Sequence, residues 1–280
     1  MSPRAREATK PTITIGADPE FFLSSTSGTH YLKSAIGLIG GTKQQPKSLG
    51  RDGYFVQEDN VAVEFNIPPA TNVDDFVNSI QWSMKTIGDR VNKFGLQPKI
   101  SAAEIFPEPE LAHPLAQMFG CDPDYNAWQN GMRNMKPMDA HKRLRSCGGH
   151  IHAAINKKVD VHSMIWAKDL FLGVPSVMMD EDTSRRFLYG RAGSYRPTSY
   201  DTTSWEYRVL SNFWIRSPEL SKWAYEQTMR AIQFVLGQSL EDTVRFFMKD
   251  KLSEQIVHCI NRSDVDLSHR LIQTYDLAVS

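Results

Sequence analysis

The sequence predicts an α+β fold: one domain of mostly antiparallel strands carrying the polar chemistry, with helices packed outside. Three observations lead there. Polar residues recur two apart within strand-like stretches, at Asp18/Glu20, Glu64/Asn66, His150/His152 and Glu206/Arg208. Side chains two apart in a strand point to one face, so each pair projects together. Apolar stripes at helical spacing occur at 76–91 and again after Pro218. No repeat, low-complexity tract or linker divides the 280 residues, a length that suffices for one large core.

Composition narrows the function classes. With 41% hydrophobic and 23% charged residues, disorder is not expected over most of the chain. The formal net charge of zero argues against a protein that coats nucleic acid, which carries a basic excess. Three widely spaced cysteines, Cys121, Cys147 and Cys259, make no disulfide framework, and a reducing compartment is the simplest reading. No apolar run reaches the ~18 residues of a membrane span. Residues 1–11 are polar and basic with no apolar run behind them, so they read as a mobile tail rather than a secretory signal.

The first strand falls at 12–23, where Ile13 and Ile15 alternate with Thr14 and Gly16. Continuing the alternation puts Asp18 and Glu20 on one face and Ala17, Phe21 and Leu23 on the other. Pro19 suggests an edge strand or a bulge. Residues 24–53 read as turns and short strands. The next strong strand carries Val61, Val63 and Phe65 on one face and Ala62, Glu64 and Asn66 on the other; Pro68 and Pro69 end it. A helix capped by Thr71 runs to about Phe94, with Asp74 and Asp75 in its first turn and Gly95 closing it. Its stripe of Phe76, Ile80, Met84, Ile87 and Val91 reads as core. Residues 100–105 read as a short strand, and 107–134 as a long loop-rich excursion of the kind that covers sites. His113, Asp122 and Asp124 in it read as structural.

Residues 144–155 hold Gly148-Gly149-His150-Ile151-His152. Neutral imidazoles bind divalent metals, and glycines allow a ligand or another backbone to come close. Cys147 beside them reads as a small buried residue. A helix follows at 161–172, and Pro175 opens another. Residues 184–196 carry four arginines among glycines and tyrosines: a solvated basic loop, or a phosphate clamp built on arginine's fixed fork of donors. A strand at 203–214 places Trp205, Tyr207 and Val209 on one face and Glu206, Arg208 and Asn212 on the other. Ser217-Pro218 starts a long helix to Gly237, and 240–247 and 254–260 read as further helices.

The blocks GADPEFFL, DNVAVEFNIPPA, CGGHIHAA, RRFLYGRAGSYR and WEYRVLSNFW, in that order over residues 13–215, resemble the small amidoligases known as COOH–NH2 ligases of type 2, often carried by bacteriophages. These lie within the glutamine synthetase and glutamate–cysteine ligase superfamily. The resemblance implies a glutamine synthetase-like catalytic domain over 12–280, with a curved sheet holding the site. It implies Asp18, Glu20, Glu64, His150 and Glu206 as ligands of two or three Mg2+ or Mn2+ ions. It puts His152 near ATP, and Arg186, Arg191, Arg196 and Arg208 on phosphates or the substrate carboxylate. Glu20, Glu64 and Arg208 take catalytic roles. A further metal-binding glutamate of glutamine synthetases lies upstream of the Glu64 position; Glu58 and Asp59 are the candidates here. The N-terminal domain of glutamine synthetases has no counterpart.

The activity so implied is ATP-dependent amide formation through an acyl phosphate, in the cytoplasm, of the host if the chain is phage-encoded. The acid and amine are small molecules, peptides or proteins, or a modified nucleobase; no membrane partner is expected. Two other readings remain open: a guanidino-kinase-like phosphotransferase, and a phage protein that binds metal or nucleotide without catalysis.

Overall fold

The computed structural model describes residues 11–28, 31–117, 124–134, 141–181, 184–198 and 203–279. The expected tail lies, but for Pro11, outside them, as do Cys121 and Asp122. The fold is mixed α and β, with a large antiparallel sheet and helices. Seven strands matter for the site: β1 (Ile13–Ser25), β2 (Phe55–Asp59), β3 (Ala62–Asn66), β4 (Leu96–Lys99), β5 (Gly149–Ile155), β6 (Ser194–Pro197) and β7 (Ser204–Tyr207). Their order is β2-β3-β1-β5-β7-β6, with short strands extending both ends.

β1 is central, not an edge. Ile13 to Pro19 pair with β5, Glu20 and Phe21 pair with β3, and Phe22 to Ser25 pair with β4. Pro19 has no N–H to give, and it sits where the strand changes partners. Residues 96–99 pair with β1 although Pro98 argues against a strand there; the segment expected at 100–105 is extended only at Ala103–Ile105, which pairs with Leu144–Ser146.

Alternation splits the sheet into two faces. Ile15, Ala17, Phe21, Ile151, Ala153, Trp205 and Tyr207 enter the main core. Against them pack α1 (Val73–Asn92), α2 (Val161–Lys168) and α3 (Pro218–Leu236). Trp205 and Tyr207 are fully buried; burying such a side chain contributes about 2–3 kcal/mol. α1 is capped by Asn72, one residue beyond the expected Thr71, whose side chain accepts from the Asp75 N–H. Its stripe is buried at Phe76, Ile80, Ile87 and Val91. α2 runs on through a wide π turn, Asp169–Gly173, into Val174–Met179. Past α3 come α4 (Leu240–Met248), α5 (Leu252–Arg262) and α6 (Val265–Tyr275), the last capped by Asp264. Among the described residues no helix is long and apolar enough to cross a membrane.

The opposite face is polar at its centre and apolar at one margin. Beyond Glu20, Phe22 continues the alternation into a second, small core with Leu32, Ala62, Phe106 and Cys147. That cluster walls one side of the site.

Candidate active site

The register brings the polar pairs together. Asp18 lies opposite His150, Glu20 opposite Glu64, His152 opposite Glu206, and Glu206 opposite Arg196. Directly opposed residues in antiparallel strands share a face, so five strands deliver their charged groups to one surface.

Among the described residues, two trios of ligand-bearing side chains result. Asp18, His152 and Glu206 hold their ligand atoms within 4.8 Å of one another, and so do Glu20, Asp59 and Glu64. In the first, His152 Nε2 lies 3.0 Å from Asp18 Oδ1. His150 packs deeper, with Nδ1 3.2 Å from Glu206 Oε1 and 3.6 Å from Asp18 Oδ1. Arg208 donates to Glu206 Oε1, and Arg196 Nη1 lies 3.4 Å from Oε2. Burial pushes the Asp18 carboxyl up, but His152 and His150 overcome this and hold it well below the usual range. Burial, with Arg208, pushes His150 down to about 4. Against burial, Asp18 draws His152 up.

The second trio has no such balance. Burial and then Asp59 push Glu20 up to about 8, against the Gly148 N–H, Arg208 and Arg185. Burial raises Glu64 well above its ordinary value, with Asp18, Glu20 and Asp59 adding repulsion. Burial also raises Asp59, although Lys43 and Arg208 pull the other way. Buried like charges are costly unless a cation joins them.

Strand parity settles which neighbour joins Glu64. Gln57 pairs with Glu64 and Asp59 with Ala62 across a two-residue turn in which Asn60 has φ 56°. Asp59 therefore shares the face of Glu64. Glu58 points away, and its Oε1 accepts the N–H groups of Gly37 and Gly40 at 2.9 and 2.7 Å. The alternation, carried back from Glu64 through the turn, was the available signal for Asp59.

The glycines before His150 serve close packing. A Cβ on Gly149 would collide with the Ser211 carbonyl and the Trp214 ring, and one on Gly148 would strike the His150 ring. The Gly148 N–H donates to Glu20 Oε2 at 2.8 Å and its carbonyl accepts the Glu20 N–H at 2.9 Å. Asn212 lies outside β7, in a helical turn at Asn212–Ile215, and donates to the Glu20 carbonyl at 2.8 Å. The strand expected over 203–214 stops at Tyr207, and Asn212 supports Glu20 from behind instead of sharing a face with Glu206.

The arginines divide. Arg196 and Arg208 meet Glu206. Arg186 does not join the cluster: it is buried and donates to Ser176 Oγ at 3.0 Å. Arg191 is exposed on the turn before β6. Arg185, unassigned by sequence reasoning, is buried and donates to the carbonyls of Val209 and Arg208 at 2.9 and 3.2 Å. Lys43 is exposed; only its distant place in the chain hid it, since no local pattern ties it to Asp59.

Acid, histidine and arginine side chains thus share one face of an antiparallel sheet, a donor set of the kind that can hold divalent cations. Residues 135–253, under half of the chain, match the family model described as phage phiEco32-like COOH.NH2 ligase-type 2, the family that the motifs resemble. The matched stretch holds His150, His152, Arg196, Glu206 and Arg208; Asp18, Glu20, Asp59 and Glu64 precede it. No curated protein matches the chain. Among solved structures, one described as apo GmaS without ligand aligns at 12% identity over 96% of this chain and 70% of that one, with a TM-score of 0.39. A likeness that loose carries nothing further about this chain.

Proposed function

We propose that this chain is an ATP-dependent carboxylate–amine ligase with a glutamine synthetase-like catalytic domain, working in the cytoplasm on a small-molecule, peptide or protein acid and amine. The observation that carries the reading is the pair of adjacent trios on one sheet face with Arg196 and Arg208 at their edge. The match of 135–253 to a carboxylate–amine ligase family supports it.

The donor set fits hard divalent cations. Five carboxylates and one imidazole make up the trios, oxygen-rich for Mg2+, with a nitrogen that Mn2+ tolerates better. Asp18, His152 and Glu206 would hold one ion; Glu20, Asp59 and Glu64 would hold another. Ions held there would supply positive charge to phosphate oxygens and to a transferring phosphoryl group. The protein's own part is to bring negative groups together without repulsion. Arg208, held on Glu206, presents a fixed positive charge to a phosphate or carboxylate. Arg196 adds a second charge from β6. The small core around Phe22 excludes water from one side, which strengthens these interactions.

The reaction proposed has two steps. An oxygen of the acid substrate attacks the γ-phosphorus of ATP, giving an acyl phosphate and ADP. The amine nitrogen then attacks the acyl carbon, phosphate leaves, and the nitrogen gives up a proton. Calorimetry with a non-hydrolysable ATP analogue tests the nucleotide site without knowledge of the substrates. Binding should require Mn2+ or Mg2+, vanish in EDTA, and weaken in Glu20→Gln. ADP release with a panel of acids and amines then tests ligation. A stable phosphorylated amine without amide would favour a phosphotransferase. Metal-independent binding, or none, would overturn the ligase mechanism.

A further inference from the structure

We propose that Asp169 is a positioning residue for the Glu206 end of the site, acting from the helical side of the sheet. The inference rests on reading Glu206 as a metal ligand. Asp169 opens the π turn after α2 and is fully buried. Its Oδ2 accepts from Trp128 Nε1 and from the Gly193 N–H, both at 2.6 Å; its Oδ1 accepts from the Tyr207 hydroxyl at 2.8 Å. Three donors from three separate segments converge on one carboxylate.

Two of those segments carry the site. Tyr207 lies between Glu206 and Arg208 in the chain, and its side chain leaves the opposite face of β7. Tethering its hydroxyl fixes the strand that presents Glu206. Gly193 precedes Ser194, whose carbonyl accepts the Arg208 N–H at 3.0 Å, and leads into β6, where Arg196 lies opposite Glu206. The turn itself is tightly set. Gly193 has φ +80°, and a Cβ there would run into Asn126 and Trp128. The neighbouring Ala192 N–H donates to Asn261 Oδ1 of α5 at 2.8 Å, while Asn126 Nδ2 donates to the Ala192 carbonyl at 3.2 Å. Asp169 is thus one support shared by β6 and β7.

The three donors are neutral. Lys168, next in the chain, is also fully buried, but its Nζ lies over the rings of Trp205 and Tyr207, 5.7 and 5.6 Å from their centres. A buried carboxylate held by neutral donors is a costly way to join two strands. What it supplies that apolar packing does not is direction: each donor has one geometry.

Asp169→Asn tests this: the amide keeps one oxygen for the Trp128 and Gly193 N–H groups, but it removes the charge and faces the Tyr207 hydroxyl with an N–H, which reverses that tether. Ser268→Ala is the control; it removes a buried hydrogen bond to the Val174 carbonyl, 2.7 Å long, within the helical layer. Mn2+ binding is measured by calorimetry on the wild type, both variants and Glu206→Gln, and melting temperatures are recorded. NMR signals of the Arg208 side-chain N–H groups and the His150 ring are followed without metal. Asp169→Asn should weaken Mn2+ about tenfold, the lower end for an outer support of a metal ligand, and shift both sets of signals. Ser268→Ala should move neither, even where its melting temperature falls as far. Wild-type affinity and unmoved signals in Asp169→Asn would overturn the proposal. Equal Mn2+ binding by wild type and Glu206→Gln would sink the metal reading alone; the metal-free signals would then decide the positioning role. If Asp169→Asn does not fold, Tyr207→Phe removes one tether and should shift the same signals in the same direction; unmoved signals there overturn the proposal too.

Discussion

The two trios sit side by side on one sheet, share β1, and differ in charge balance. Asp18, His152 and Glu206 come with His150, Arg196 and Arg208 around them. Glu20, Asp59 and Glu64 have acids for neighbours, with cations only at the periphery. The pKa directions follow: Asp18 is held down by its histidines, while Glu20, Glu64 and Asp59 are pushed up. The first trio is pre-neutralised by protein groups; the second stores repulsion that a cation or a proton must relieve. Cation affinity in the second trio is therefore the more exposed to pH.

Turnover is where the comparison predicts the largest effect, and there it predicts equality. Glu64→Gln and Glu206→Gln should each lower ADP release by at least about 10²-fold, the scale for losing one group that stabilises charge in the transition state. Near-wild-type rates in either would remove that trio from the chemistry.

Stability without metal should then move in opposite directions. Asp18→Asn removes the negative charge 3.0 Å from His152 Nε2 and should cost about 1 kcal/mol, the upper scale for a partly exposed ion pair. Glu64→Gln removes repulsion and should raise the melting temperature by about 3 °C. Thermal unfolding in EDTA measures both. Shifts of the same sign would break the contrast.

A smaller effect concerns pH. Glu20 is raised from 4.5 to about 8, so between those values the folded state holds the extra proton. Stability from this group is present below pH 4.5 and lost as pH rises through 8. His150, lowered from 6.5 to about 4, acts in the opposite sense over that lower range, so the useful window is 6.5 to 8. There, melting in EDTA should fall more steeply with pH in wild type than in Glu20→Gln, and Mn2+ should flatten the wild-type slope. Parallel curves would mean that Glu20 is not the titrating group.

Much of this site was legible because it is written in alternation. Asp18, Glu20, Glu64, His150, His152 and Glu206 each follow from a strand of period two, and the pleat kept them on one face. The order of the two histidines did not follow: the resemblance gave His150 to metal and His152 to the nucleotide, whereas His152 is the one grouped with Asp18 and Glu206 and His150 packs beneath them. The helix at 73–92 followed from its apolar stripe. What could not be read depends on distant partners. Pro98 hid a strand that pairs with β1 across the sheet. Asn212 left the strand expected of it because residues 212–215 turn back to pack against Glu20 and Ser101. Arg186, one of four arginines in a row of candidates, went to the helical interior, a choice made by packing and not by local pattern. Asp59 was decidable, but only by counting through the Asn60 turn.

β1 also fixes a distance. Asp18 and Glu20 are successive same-face positions of one continuous strand, each belonging to a different trio. Their Cα atoms are held about 6.7 Å apart by backbone geometry alone. The strand is a ruler. Substitutions elsewhere can loosen either trio, but its graduations cannot slide: inserting one residue between Asp18 and Glu20 would put the two carboxylates on opposite faces. That spacing keeps the two trios adjacent, one on each side of Pro19.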